Sequence, residues 1–154
     1  MEKEALLKII GCGNRDRGDD QAGILVAQRL RDTGIETDIH NGDALALLEK
    51  WRADEDVILV DAVLTGAPPG TLHVWESSQA ESDFRPAATS AAVSSHGFDI
   101  ARAIDLGRTL GKLPARLRVC GIEGTRFEQG AEVTPAVLKA IDLAVQKIQS
   151  MRSA

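Results

Sequence analysis

The chain has 154 residues and a mass of 16.5 kDa, and its 44% hydrophobic content is enough for one folded core and excludes wholesale disorder. Its formal net charge of −5, with a pI near 5.2, argues against nucleic acid or an anionic membrane surface as the main partner. Aromatic residues make up only 3% and tyrosine is missing, so we expect an aliphatic core and no aromatic platform for stacking bases or sugars.

The cysteines and the amino-terminal residues indicate a soluble, intracellular protein. Cys12 and Cys120 are too few and too far apart to suggest a disulfide framework, and we expect both to be buried or half-buried free thiols. Residues 1–10 lack the long apolar stretch of a signal peptide, and no run in the chain approaches the roughly 20 apolar residues of a membrane span. We therefore expect a cytoplasmic protein. We also expect a monomer, because its acidic exterior gives no sign of a large exposed apolar patch.

The first sixty or so residues predict two strand–helix pairs and then a buried strand. The predicted elements are a strand at 6–10, a helix from Ala22 to near Gly34, a strand at 35–40, a helix at 44–51 and a strand at 57–60. The last of these strands reads Val-Ile-Leu-Val without a polar residue, which is typical of a parallel strand covered on both faces. We expect that strand to end at Asp61.

The remaining residues predict an antiparallel or edge strand, a long polar loop, two helices and one more strand. The predicted elements are a turn at 66–70, a strand at 71–75, a mobile loop at 77–95, a helix at 96–110, a strand at 117–122 and a helix that Thr134 and Pro135 open and that runs to about Ser150. This order predicts a single-domain, doubly wound α/β sandwich, with a mostly parallel central sheet and helices on both faces. In such sheets, ligands bind outside the carboxyl ends of the strands.

The turn after the first strand, Gly-Cys-Gly-Asn-Arg-Asp-Arg-Gly-Asp-Asp at 11–20, has the position of a dinucleotide-binding loop but not its chemistry. Asp16 stands where that fingerprint requires its third glycine, and no P-loop Lys-Ser/Thr pair is present. Asp19 and Asp20 lie at the predicted helix start, where they would repel a phosphate and attract a cation. Either could instead cap the helix, although a cap requires only one of them.

Asp61 and two of the histidines are further candidate side chains at the same edge of the predicted sheet. Asp61 follows a buried strand, and His96 lies at the predicted start of a helix. Each also has a structural interpretation, Asp61 as the start of an Asx turn and His96 as a surface or capping residue. His40 ends a predicted strand and could share this edge, whereas the place of His73 within a strand favours a structural role.

Taken together, Asp20, Asp61 and His96 offer two carboxylates and one imidazole on one side of the predicted sheet. That mixed set suits a borderline divalent metal with open coordination positions. No HExxH or CxxC motif is present, so a familiar zinc site is not indicated. A Ser-His-Asp triad that uses Ser94 or Ser95 is a weaker alternative, because the sequence has no GxSxG elbow.

Four stretches that include these residues resemble the hydrogenase maturation endopeptidases, and the resemblance covers nearly the whole chain. They read GCGNRDRGDDQAG at 11–23, ILVDAV at 58–63, GAPPGTLHV at 66–74 and SSHGFDIARAI at 94–104. The resemblance implies one domain over 1–154 with a doubly wound α/β fold, and a peptidase that removes a C-terminal extension from the large subunit of nickel–iron hydrogenases. It also implies that Asp20, Asp61 and His96 are the catalytic residues and the metal contacts.

The metal that this resemblance implies is nickel, which would arrive with the substrate, although other divalent cations could occupy the same ligands. The precursor would hold the nickel through its cysteine thiolates, and the protease would complete the coordination, so that only a correctly loaded precursor is cut. Cleavage needs an activated water, which either the nickel or a nearby carboxylate could supply. Asp16 and Asp43 are the carboxylates available for that second route.

Residues 40–43 depart from the family pattern. Many members have Asp-Gly-Gly-Thr after the second strand, whereas this chain has His-Asn-Gly-Asp, with the acid displaced to Asp43. Because that stretch is associated with substrate contact or catalysis, the resemblance assigns Asn41, Gly42 and Asp43 to the substrate loop. The departure leaves open a non-catalytic maturation factor that binds the metallosubunit. A nucleotide- or small-molecule-binding α/β domain on a similar fold is a further, less favoured alternative.

Overall fold

One five-stranded β-sheet organises the computed structural model, which describes residues 7–41, 43–79 and 100–152. Its strands are β1 (Leu7–Cys12), β2 (Asp38–His40), β3 (Asp56–Val63), β4 (Leu72–Ser77) and β5 (Arg116–Glu123). They lie in the order β2-β1-β3-β5-β4, and all neighbours are parallel except β4, which pairs antiparallel to β5 at one edge. The predicted doubly wound, mostly parallel sheet is therefore confirmed.

Four α-helices in the described ranges cover the two faces of this sheet. They are α1 (Ala22–Asp32), α2 (Ala44–Leu48), α3 (Ile100–Leu110) and α4 (Pro135–Arg152). Helices α1 and α4 pack together on one face, and α2 and α3 pack on the other. The predicted ends of two helices are confirmed, since Gly34 follows α1 with a φ of +89° and Pro135 is the first residue of α4.

The central strand β3 supplies side chains to both faces, which explains its uninterrupted apolar sequence. Ile58 and Val60 pack against α1 and α4, whereas Val57 and Leu59 pack on the face of α2 and α3. All four are fully buried. A strand covered on both sides has no solvent-facing positions, so it has no reason to alternate apolar with polar residues.

Several predicted boundaries differ from the structure. Strand β3 continues to Val63, so the prediction that it ends at Asp61 is wrong, because parallel pairing with β5 persists through Val63↔Glu123. Strand β2 is shorter than predicted, and α2 ends at Leu48, after which Trp51 is buried and donates its indole N–H to the carbonyl of Lys112 at 2.8 Å. Most of the predicted loop and the predicted helix start at 96–99 lie outside the described residues.

The sheet reverses its direction of winding between β1 and β3. From β1 the chain passes through α1 to β2 on one side, whereas β3 leads towards β4 and β5 on the other. The connections that leave the carboxyl ends of β1 and β3 therefore diverge, which makes this position the switch point of the sheet, where ligands bind in doubly wound folds. Within the described ranges, no helix combines the length and the apolar composition that a membrane span requires.

Candidate active site

Asp20 and Asp61 lie at this switch point, one on each side of it. Asp20 belongs to a 3₁₀ turn, Gly18–Gln21, that joins β1 to α1, while Asp61 lies in β3 just beyond the last residue that pairs with β1. Their side chains are buried, with residue exposures of 5% and 2%. The side-chain amide of Asn14 donates to Asp20 Oδ2 at 2.8 Å, and Asp61 Oδ1 accepts from the backbone N–H of Ala62 at 2.8 Å.

Cys12 lies close to both carboxylates. It is the last residue of β1 and is fully buried, as predicted. Burial raises the pKa of the Cys12 thiol well above its ordinary value, and the negative charges of Asp61 and Asp20 raise this pKa further. Asp20 lies in the turn that leaves β1, and Asp61 lies in β3, the neighbouring strand, so the structure brings these two predicted site residues to the same part of the sheet edge.

Glycines of the first motif let α1 start against the ends of the central strands. A Cβ on Gly23 would lie 2.2 Å from the carbonyl oxygen of Val60 and 2.3 Å from that of Cys12. A Cβ on Gly13, whose φ is +151°, would lie 2.1 Å from the carbonyl oxygen of Asp20. Any larger residue at either position would push the Asp20 turn away from β1 and β3.

Asp19, the neighbour of Asp20, has a different task. It is fully buried and its carboxylate accepts hydrogen bonds from the backbone N–H groups of Thr125, Arg126 and Thr134, and from the hydroxyl of Thr134. These bonds fasten the connection between β5 and α4 to the first loop. The residue before α1 is Gln21, so the interpretation of Asp19 or Asp20 as the N-cap of α1 is wrong.

His96 lies outside the described residues, so its convergence with Asp20 and Asp61 stays a prediction. Helix α3, which begins four positions later at Ile100, packs on the same sheet face as Leu59. Asp61 follows Leu59 by two positions in β3 and therefore points to that face as well. Among the residues that the structure describes, no group of three or more His, Cys, Asp or Glu side chains is arranged to hold a metal.

The predicted substrate loop, residues 41–43, follows His40, which ends β2 at the carboxyl edge, as its position in the sequence suggested. Burial lowers the pKa of His40, whose Nε2 lies 3.0 Å from the carbonyl oxygen of Asp43. Asp43 is exposed and caps α2, because its Oδ1 accepts from the N–H of Ala46 at 2.8 Å. Asn41 is exposed, Gly42 lies outside the described residues, and substrate contact by all three loop residues stays a prediction.

Glu123 is a buried acid at the same edge that the sequence interpretation missed. It is the last residue of β5 and is only 1% exposed. Its carboxylate accepts from the N–H of Thr65 at 2.8 Å and from the Thr65 hydroxyl at 2.6 Å, and it lies 3.1 Å from Nε2 of His73. The signal that could have found it is an acid at the carboxyl end of a predicted apolar strand, the same signal that identified Asp61.

Comparison with known proteins assigns the chain to a family. Residues 37–151, more than half of the chain, match the model of the HycI hydrogenase maturation proteases. The chain belongs to the hydrogenase maturation protease family. The matched range includes Asp61 and position 96, and it begins after the loop that carries Asp20.

Solved structures of hydrogenase maturation proteases share the fold at low sequence identity. HybD from Escherichia coli is 22% identical over 96% of this chain and 93% of its own, with a TM-score of 0.72. HybD from Thermococcus kodakarensis is 20% identical over 95% and 98%, with a TM-score of 0.66. HycI from Thermococcus kodakarensis KOD1 is 20% identical over 97% and 94%, with a TM-score of 0.63.

No curated protein matches the sequence. The family assignment makes the chain a homologue of endopeptidases, so the predicted enzyme class, a peptidase, is confirmed.

Proposed function

We propose that this protein is the endopeptidase that removes the C-terminal extension from the large-subunit precursor of a nickel–iron hydrogenase after nickel insertion. It would act in the cytoplasm as a monomer. The observation that carries the proposal is the pair of buried carboxylates, Asp20 and Asp61, beside Cys12 at the switch point of the sheet. In a chain of this family, that is where the fold exposes strand ends to a ligand.

The donor set suits a metal that is presented by a substrate. Two buried carboxylates near one another repel, and a divalent cation relieves that repulsion. Asp20 and Asp61, with His96 from the segment that precedes α3, supply two oxygens and one nitrogen and leave positions open for the ligands of the precursor. Nickel is therefore recognised as part of the substrate, and an unloaded precursor lacks the group that completes the contact.

The test is to incubate the protein with nickel-loaded and with nickel-free precursor and to follow the loss of the extension by mass spectrometry. We expect cleavage of the loaded form only. Asp20→Asn, Asp61→Asn and His96→Ala should each slow that cleavage by about 100-fold or more, since each removes a contact to the metal. Asp54→Asn, an exposed acid in the turn before β3, is the matched control and should cleave at the wild-type rate.

Other outcomes would contradict the proposal. Equal cleavage of both precursor forms would exclude the dependence on nickel, and full activity in all three variants would exclude this set of contacts. Binding of the precursor without a change in its mass would indicate a non-catalytic metallosubunit-binding factor. Thermal stabilisation by nucleotides but not by divalent cations would indicate a nucleotide-binding domain instead.

A further inference from the structure

Glu123 and His73 form a carboxylate–imidazole pair at the carboxyl edge of the sheet. Glu123 is buried and is held by Thr65, and its Oε1 faces His73 Nε2 at 3.1 Å. A carboxylate only accepts hydrogen bonds, so Nε2 is the donor in this contact, and Nδ1 is the ring nitrogen that does not face Glu123. The imidazole also stacks on Trp75, with ring centroids 4.8 Å apart, and its side chain remains 21% exposed.

This pair lies in line with Asp61. Asp61 is directly opposite Gly121 in β5, and Gly121 is directly opposite His73 in β4. Residues opposite one another in neighbouring strands point to the same face, and the preceding row of this face, Leu59, Val119 and Trp75, packs in one core cluster. Two strand spacings of about 4.8 Å place the Cα atoms of Asp61 and His73 about 10 Å apart.

No side chain from β5 separates the two, because the residue between them is glycine. A Cβ on Gly121 would lie 2.7 Å from the Trp75 ring and 3.0 Å from Val63. The Trp75 ring and Val63 therefore pack over Gly121, and a peptide bound at Asp61 would run across them, over about three extended residues, to reach the imidazole.

We propose that His73 is the general base of the cleavage step and that Glu123 is the residue that positions it. This inference rests on the proposed function, because it concerns the same peptide bond. His73 Nδ1 takes a proton from the attacking water as the water oxygen bonds to the scissile carbonyl carbon. The imidazolium then returns that proton to the amide nitrogen as the C–N bond breaks, so that one peptide and one water give a carboxylic acid and an amine.

The two carboxylates that the sequence suggested for activating the water are less well placed than His73. Asp43 is exposed and already caps α2, and Asp16 is exposed in the first loop, with a φ of +66°. Neither has a buried partner that fixes its orientation in the way that Glu123 fixes His73 among the described contacts. A base that is oriented before the substrate binds loses less entropy in the reaction.

The test is chemical rescue of His73→Ala on nickel-loaded precursor. We expect a loss of kcat of about 100-fold or more with KM nearly unchanged, and partial recovery when imidazole is added. Added 1,2,4-triazole has nearly the same shape but is a far weaker base, so it should restore much less. Glu123→Gln should lower kcat by about 10-fold or more with KM nearly unchanged, because it keeps the size of the side chain but removes the charge that orients His73.

Controls distinguish a loss of fold, a wrong role for His73 and a wrong proposed function from one another. Thermal unfolding of His73→Gln beside the wild type shows whether a loss of activity reflects a loss of fold. Asp61→Asn should recover no activity when imidazole is added. Equal rescue by both azoles, or wild-type activity in both His73 variants, would overturn the role of His73 while the proposed function stands. Absence of cleavage by the wild-type protein would overturn the proposed function and this inference with it.

Discussion

Asp19 and Asp20 are chemically identical neighbours with different environments. Successive residues of a 3₁₀ turn point about 120° apart. Asp19 therefore turns towards the backbone of Thr125 and Thr134, whereas Asp20 receives a hydrogen bond from Asn14 near Cys12. The sequence could identify the pair, but only the direction of each side chain separates the structural acid from the candidate metal contact.

The buried thiol of Cys120 predicts how the free energy of unfolding depends on pH. Burial raises the pKa of its thiol from 9.0 to about 12. Because the folded state holds this proton more tightly than the unfolded state, the thiol contributes stability below pH 9 that is lost as the pH rises towards 12. The free energy of unfolding of the wild type should therefore fall by about 2 kcal/mol more than that of Cys120→Ala between pH 8 and pH 10.5.

Urea denaturation of both proteins at the two pH values measures this difference. The chain has no tyrosine to titrate in that range, and its lysines are the same in both proteins. Cys120 packs on the face of α1 and α4, away from the face of Asp61, so Cys120→Ala also leaves the candidate site intact. Parallel pH profiles for the two proteins would mean that Cys120 is not the buried thiol described above.

At the scale of elements, two buried carboxylates fix the connections on either side of the candidate site. Glu123 binds the connection from β3 to β4 through Thr65 and Gly66. Asp19 binds the connection from β5 to α4 through Thr125 and Thr134. Loops that hold a site need such anchors, because backbone groups outside helices and strands must find other partners.

Asp19→Asn should destabilise the protein by about 2–3 kcal/mol, because the new amide N–H₂ would face backbone N–H donors that now bind a carboxylate oxygen. Urea denaturation measures the change. Asp16→Asn is the matched control in the same loop: Asp16 is exposed with a φ of +66°, a conformation that asparagine tolerates, so we expect a change within about 0.5 kcal/mol. Equal stability of the two variants would show that Asp19 is not an anchor.

The identity and order of the elements and two of the helix ends could be predicted from local sequence, but several other ends could not. The apolar run at 57–60 marked the central strand, and Pro135 and Gly34 marked two helix ends. The extension of β3 through Asp61 depends on pairing with β5, sixty residues later in the chain, which no local pattern reports. The partnership of Glu123 with His73 is likewise a contact between strands, and it explains why a histidine interpreted as structural has a further potential role.

In the molecule as a whole, part of the negative charge behind the formal net of −5 is concentrated at one edge of the sheet. Four acids, Asp19, Asp20, Asp61 and Glu123, are buried at the carboxyl ends of the strands, and two of them are engaged in holding loops. The remaining pair lies at the switch point. The order of strands and helices was sufficient to predict which edge carries the candidate site, because the winding of a doubly wound sheet dictates where a ligand can bind.

A crystal structure of the protein soaked with nickel(II) shows whether Asp20, Asp61 and His96 bind one metal ion. We predict one anomalous-scattering peak within about 2.5 Å of a carboxylate oxygen of Asp20, a carboxylate oxygen of Asp61 and a ring nitrogen of His96. A peak elsewhere on the protein, or carboxylates of Asp20 and Asp61 too far apart to share an ion, would show that these three residues do not form one metal site.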